Sequence, residues 1–209
     1  METEIVQAGD DRGTRRAAEV LKAGGLVAFP TDTVYGVAAL PWDEAAVAQL
    51  YVAKRRPLDR PIPLLLSDDQ QLDQVALPTP ACEQLMTHFW PGGLTLILPK
   101  TQAVLDVVSP RSTVAVRVPD LALARDLIWQ AGGVLAVTSA NISGQASPVT
   151  AQDVEQQLAG RIDLILDGGP CRAGTPSSIL DCTTWPPVLR RRGAIPEPDL
   201  QAVIGSISL

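Results

Sequence analysis

Gly25-Leu26-Val27-Ala28-Phe29-Pro30-Thr31-Asp32-Thr33-Val34-Tyr35-Gly36 changes character half way along. Its first part is an apolar run short enough for a strand and uniform enough to need cover on both faces. Pro30 ends the run, because proline has no amide hydrogen to give to a sheet ladder. Thr31, Asp32, Thr33 and Tyr35 follow at once. A core strand has no use for so many polar groups unless a turn or a ligand satisfies them. The pattern by itself leaves both readings open, a ligand site or an ordinary turn.

Working outward, a strand is expected near Ile5-Val6, then a helix from Thr14 to Ala23 that stops at Gly24-Gly25. Beyond the opening motif, Asp43 caps a second helix with Ala46, Val47, Leu50 and Tyr51 on one stripe. That helix ends in Lys54-Arg55-Arg56-Pro57, where cations suit the C-terminal dipole and proline forbids continuation. Leu64-Leu65-Leu66 reads as a buried strand, Ser67-Asp68-Asp69 caps a short helix, and Thr79 to Phe89 reads as a longer one. Strands are expected again at Leu94 to Leu98, Thr113 to Val118, Gly133 to Val137, Leu164 to Leu166, Ser177 to Leu180 and Val188 to Arg190. Helices opened by Asp120, covering Ala151 to Leu158 and following Pro198 interleave with them. The expected fold is therefore α/β, a single domain with a twisted mixed β-sheet flanked by helices and a ligand cleft at the strand ends.

Composition narrows the functional classes. At 209 residues with 46% hydrophobic and 19% charged residues, the chain can build one full core. No apolar run approaches a membrane span, and Met1-Glu2-Thr3-Glu4 has neither a basic region nor an apolar signal core, so a cytoplasmic location is expected. Cys82, Cys171 and Cys182 are widely spaced and form no Cys-x-x-Cys pair, and His88 is the only histidine. A disulfide framework, an imidazole metal site and a serine-histidine triad are all poorly served by this inventory. A net charge of −6 argues against a general nucleic-acid coat. Against that acidity, Lys54-Arg55-Arg56 and Arg190-Arg191-Arg192 stand beside loops and point to a phosphate-bearing ligand.

Three polar groups fall at expected strand ends: Thr31-Asp32-Thr33, Ser139-Ala140-Asn141 and Arg117. Singly each can be a turn or a cap, since these side chains also bond to nearby backbone. Neither the Walker pattern nor G-x-G-x-x-G occurs, so the familiar glycine-rich phosphate loops are absent.

These residues in this order resemble the YrdC family, the threonylcarbamoyl-adenylate synthases of transfer RNA modification. The resemblance rests on Phe29 to Gly36, Lys54-x-Arg56-Pro57, Trp90-Pro91-Gly92-Gly93-Leu94-Thr95, Thr113 to Pro119, Ser139-Ala140-Asn141-x-Ser143-Gly144, Ser177-Ser178-Ile179 and Arg191-x-Gly193. Its span, 29 to 193, leads us to expect the single-domain form, with residues 1–209 as one YrdC-like unit. Some relatives carry a histidine in the strand where this chain reads Pro63-Leu64-Leu65-Leu66.

The resemblance implies that L-threonine, bicarbonate or CO2, and ATP with Mg2+ give threonylcarbamoyl-AMP and pyrophosphate, with no prosthetic group. The product would pass to threonylcarbamoyl transferase machinery acting on the tRNA adenosine beside the anticodon, with possible direct contact to tRNA. By the same resemblance Thr31, Arg117, Ser139 and Ser177 would hold threonine, and Lys54, Arg56, Thr113, Asn141, Ser147 and Arg191 would hold ATP. Asp32, Thr33 and Tyr35 would shape the turn, and no residue is expected to serve as nucleophile or base. The alternative is a YrdC-like paralogue that binds RNA or nucleotide without threonine-specific synthase activity.

Overall fold

The apolar runs pair into one mixed sheet of ten strands. The computed structural model describes residues 2–9 and 11–208, which leaves Met1 of the leading stretch outside. In chain order the elements are β1 (Glu4–Gln7), α1 (Asp11–Lys22), β2 (Val27–Phe29), β3 (Gly36–Ala39), α2 (Glu44–Lys54) and β4 (Leu64–Leu66). A 3-10 helix (Asp69–Gln74) follows, then α3 (Pro80–Phe89), β5 (Leu94–Pro99), β6 (Thr113–Arg117), α4 (Ala122–Gln130) and β7 (Val134–Ser139). The chain continues through α5 (Ala151–Leu158), β8 (Leu164–Asp167), β9 (Ser178–Asp181), β10 (Val188–Arg191) and α6 (Glu197–Ile204). The spatial order is β1-β8-β2-β3-β7-β4-β6-β5-β9-β10.

Two differences from the sequence expectation matter. Gly36–Ala39 is a strand, antiparallel to β2, so Pro30 to Tyr35 is the connection of a hairpin rather than the end of an isolated strand. Gly36 lies against Val137 of β7, where a β-carbon would meet Val137 Cγ1 at 2.7 Å. Asp120 does not cap α4, whose N-cap is Leu121. Its amide instead donates to Asp32 Oδ1 at 3.1 Å and its carboxylate lies 3.5 Å from Arg125. The expected cap at Asp43 forms, accepting from the Ala46 amide at 3.0 Å.

Strand alternation and helix placement together create the cavity. On one sheet face Leu94, Leu96, Leu98, Val114, Val116 and Leu180 enter the main core, which residues from α2, α3, α5 and α6 share. On the other face α1 and α4 pack over β8, β2, β7 and β4 with Val27, Phe29, Leu135 and Leu164. Those two helices cover only half of their face. Beyond them the opposite-facing residues of β5, β6 and β9, namely Thr95, Ile97, Thr113, Ala115 and Ile179, line an open cavity of about 330 Å³. The strand-end residues form its rim, and a strand face forms its floor.

Candidate anion-binding cavity

The hairpin connection closes one end of the cavity. Thr31 is buried, and its Oγ1 donates to the Val34 carbonyl at 2.7 Å while accepting from the Thr33 and Val34 amides. It also lies 3.0 Å from Thr33 Oγ1. Thr31 therefore shapes the turn as well as lining the cavity, and Thr33 lines the cavity beside it. The expected cavity position of Thr31 is kept, and the turn role expected of Thr33 is shared with it. A threonine hydroxyl can close a local turn more cheaply than it can reach a distant partner.

Arg117 ends β6 only 5% exposed. Its Nε donates to Gly92 O at 2.8 Å, one terminal nitrogen to Thr33 Oγ1 at 2.9 Å and the other to Asp32 Oδ1 at 2.5 Å. Burial lowers its pKa and the Asp32 charge opposes that shift. Asp32 is thus more than a turn residue, because it supplies the counter-charge that lets a buried guanidinium remain charged.

Ser177 and Arg191 form the opposite wall. The Ser177 hydroxyl lies 2.8 Å from Thr95 Oγ1 and accepts from Arg191 at 3.0 Å, and Arg191 Nε also donates to the Ser177 carbonyl at 2.9 Å. A bulge in the β9–β10 ladder sets Arg191, not Arg190, opposite Ile179 on the cavity face. Arg190 bonds Asp181 at 2.9 Å and Arg192 pairs with Glu197 at 2.8 Å. Gly193 makes the wall possible: a β-carbon there would sit 2.3 Å from Pro176 O and 2.4 Å from Ser177 C.

The Lys54-Arg55-Arg56 run divides in the same way. Arg55 adopts φ 52°, ψ 43° and reverses the chain at the end of α2. Arg56 then turns to the cavity, held by Arg60 O at 3.0 Å and Pro61 O at 2.8 Å. Lys54 does not reach the cavity wall. The residue is 1% exposed, and its ammonium donates to the carbonyls of Ser139 and Asn141, tying α2 to the loop after β7. Burial, with the Arg56 charge adding, pulls Lys54 down to about 7.

Asn141 also lies off the cavity wall, its Nδ2 donating to Ile142 O and Gln145 O at 2.9 Å each. Its Oδ1 and the Ser143 hydroxyl are buried side-chain oxygens without a hydrogen-bond partner among the described residues. Thr113, Ser139 and Ser147 line the cavity as expected positions. Pro63, just before β4, and Leu65 within it give the cavity an apolar stretch of wall.

Sequence reasoning missed Thr95, Ser109 and Arg111, which also line the cavity. Arg111 is a single arginine in a loop, with no run of charge to mark it; Thr95 was legible as a polar position inside an apolar strand. Among the described residues the lining carries four arginines, Arg56, Arg111, Arg117 and Arg191, and no carboxylate. In a chain of net charge −6 this concentrates positive potential where an anionic ligand of nucleotide size would enter. Hydroxyls of Thr33, Thr95 and Ser177 add donors with fixed backbones. Among the described residues no group of three or more His, Cys, Asp or Glu side chains is placed to hold a metal ion. No helix among them is long and apolar enough to cross a membrane.

Comparison with known proteins agrees with this geometry. The model of the Sua5, YciO and YrdC family, described as telomere recombination, matches residues 19–193. A threonylcarbamoyl-AMP synthase from Pyrococcus abyssi is 44% identical over 93% of this chain and 58% of its own length. A putative threonylcarbamoyl-AMP synthase from Mycobacterium tuberculosis is 35% identical over 93% of this chain and 90% of its own length. The crystal structure of P. abyssi Sua5 complexed with L-threonine superposes with TM-score 0.95 at 41% identity, covering 100% of this chain and 62% of that one. The chain spans about three fifths of the length of the Pyrococcus relative. With its motifs distributed around one cavity and the family model matched over most of its length, this chain belongs to the Sua5/YciO/YrdC family.

Proposed function

We propose that this chain is an L-threonylcarbamoyladenylate synthase, a nucleotidyltransferase forming threonylcarbamoyl-AMP and pyrophosphate from L-threonine, bicarbonate or CO2, and ATP. The observation that carries the reading is, among the described residues, a cavity lining of four arginines and many hydroxyls with no carboxylate of its own, Arg117 alone being paired, to Asp32 behind the wall, which suits one small zwitterion and one polyphosphate. The Thr31, Thr33, Arg117 and Ser177 end would take the amino acid. The Arg56, Thr113, Ser147 and Arg191 walls would take the nucleotide.

The chemistry asks for positioning rather than a protein nucleophile. The threonine amine adds to CO2, losing a proton, and a carbamate oxygen attacks the α-phosphorus of ATP as pyrophosphate leaves. Arginines aimed at the phosphate oxygens stabilise the charge that develops there. Lys54 and Asn141 act from beneath, fixing the loop that carries Ser139, rather than by contact with phosphate. The cavity wall offers no carboxylate to magnesium, so Mg2+ would arrive on the phosphates of ATP. A cytoplasmic location, and delivery of the product to a transferase acting on tRNA, complete the proposal.

The test is to incubate the protein with ATP, Mg2+, bicarbonate and threonine, serine or no amino acid, and to measure pyrophosphate and the adenylate. Threonine-dependent release of both is expected. Pyrophosphate release indifferent to threonine would overturn the substrate assignment and favour a nucleotide-binding paralogue.

A further inference from the structure

Three of the four cavity arginines are already held by protein atoms. Arg56 donates to Arg60 O and Pro61 O, Arg117 to Gly92 O, Thr33 and Asp32, and Arg191 to Ser177. Arg111 lines the same cavity, is exposed, and makes no hydrogen bond or ion pair among the described residues. Its backbone is nevertheless fixed. Ser109 is fully buried and its hydroxyl donates to Thr113 O at 2.7 Å, Lys100 Nζ donates to Ser109 O at 2.8 Å, and Lys100 N donates to Ser112 O at 3.0 Å. The Ile62 amide donates to Val108 O at 2.9 Å, joining this loop to the segment whose Pro61 carbonyl holds Arg56. Arg56 and Arg111 are therefore carried by adjoining segments at one end of the cavity.

Position along the strand gives the ligand part. Arg111 precedes the amino end of β6 and Arg117 closes its carboxyl end. Six residues at roughly 3.3 Å each separate their α-carbons by up to about 20 Å. That is longer than an amino acid and comparable with an extended nucleoside triphosphate. The Arg117 end holds the hydroxyl cluster, so the far end is left for the phosphates that lie furthest from the α-phosphorus. An arginine with a fixed backbone and an unengaged guanidinium can close on such a group without first surrendering a protein partner.

We propose that Arg111 binds the β- and γ-phosphates of the nucleotide, the part released as pyrophosphate, and so sets the preference of the cavity for triphosphate over monophosphate. The assignment rests on the synthase reading. It is tested by calorimetric titration of wild type, Arg111→Ala and Arg111→Lys with pyrophosphate, ATP, AMP and L-threonine, none of which requires turnover. In Arg111→Ala the affinity for pyrophosphate and for ATP should fall about tenfold, the loss expected for one charge-assisted contact, with AMP and L-threonine within about twofold of wild type. Arg111→Lys should recover part of the loss. Pyrophosphate affinity unchanged in Arg111→Ala, or AMP affinity falling by the same factor, overturns the assignment alone. A wild-type protein that binds neither ATP nor pyrophosphate overturns the assignment and the synthase reading together.

Discussion

Arg117 closes the five-residue strand β6 and Arg111 stands just before its start; both present the same side chain to the same cavity, yet their states are opposite. Arg117 is buried and committed to Gly92, Thr33 and Asp32. Arg111 is exposed and makes no such bond among the described residues. The difference shows how one cavity can be rigid at one end and adaptable at the other. A buried guanidinium must have a counter-charge and acceptors before any ligand arrives, whereas an exposed one can wait in water. The Arg117 end is thus preorganised by Asp32, and the Arg111 end by backbone alone.

Removing the counter-charge should break this contrast most severely. Asp32→Ala leaves Arg117 buried and unpaired, and should cost about 3–5 kcal/mol of stability in urea unfolding. Loss of less than 1 kcal/mol would mean that water reaches Arg117 and that the two ends are alike, since exposed pairs contribute about that much or less.

A second buried cation sharpens the comparison through pH. Among the described residues Lys54 has no carboxylate partner, and burial holds it down to about 7, well below its ordinary 10.5. Between these values the unfolded chain binds a proton that the folded chain releases, so this group makes stability rise with pH from about 7 to about 10.5. Its contribution is up to about 1.4 kcal/mol per pH unit. Unfolding midpoints of wild type and Lys54→Met compared at intervals across that range should diverge with this slope. Parallel curves would show a lysine that keeps its ordinary charge.

The smallest effect concerns the turn that separates Lys54 from Arg56. Arg55 occupies a left-handed conformation that disfavours residues with a β-carbon. Arg55→Gly should therefore raise stability by about 0.5–1 kcal/mol and leave nucleotide binding unchanged. Weakened ATP binding in this variant would show that the Arg55 charge, rather than the turn it makes, serves the cavity.

Much of the fold was legible because buried strands and capped helices are local patterns. Leu64-Leu65-Leu66 is apolar on both faces, and Asp43 bonds the amide three residues on. β3 was not legible, since Gly36-Val37-Ala38-Ala39 carries little strand character until Val37 pairs with Ala28 and Thr138. Asp120 looked like a cap, but the helix begins one residue later than that reading needs, with Leu121 as its N-cap, and the Asp120 carboxylate lies against Arg125.

What the sequence by itself determined is the supply of chemistry: two basic runs in an acidic chain and hydroxyls after apolar strands. Only the tertiary structure decided which members of each run are used. In Lys54-Arg55-Arg56 the left-handed turn buries the first, spends the second on reversal and delivers the third. In Arg190-Arg191-Arg192 the bulge delivers the middle one while Asp181 and Glu197 hold its neighbours. Arg111 gained its place only when the loop before β6 was tied to Lys100 and Ile62. Neighbouring arginines are equivalent as residue types, and they become distinct through backbone direction and partners far away in sequence.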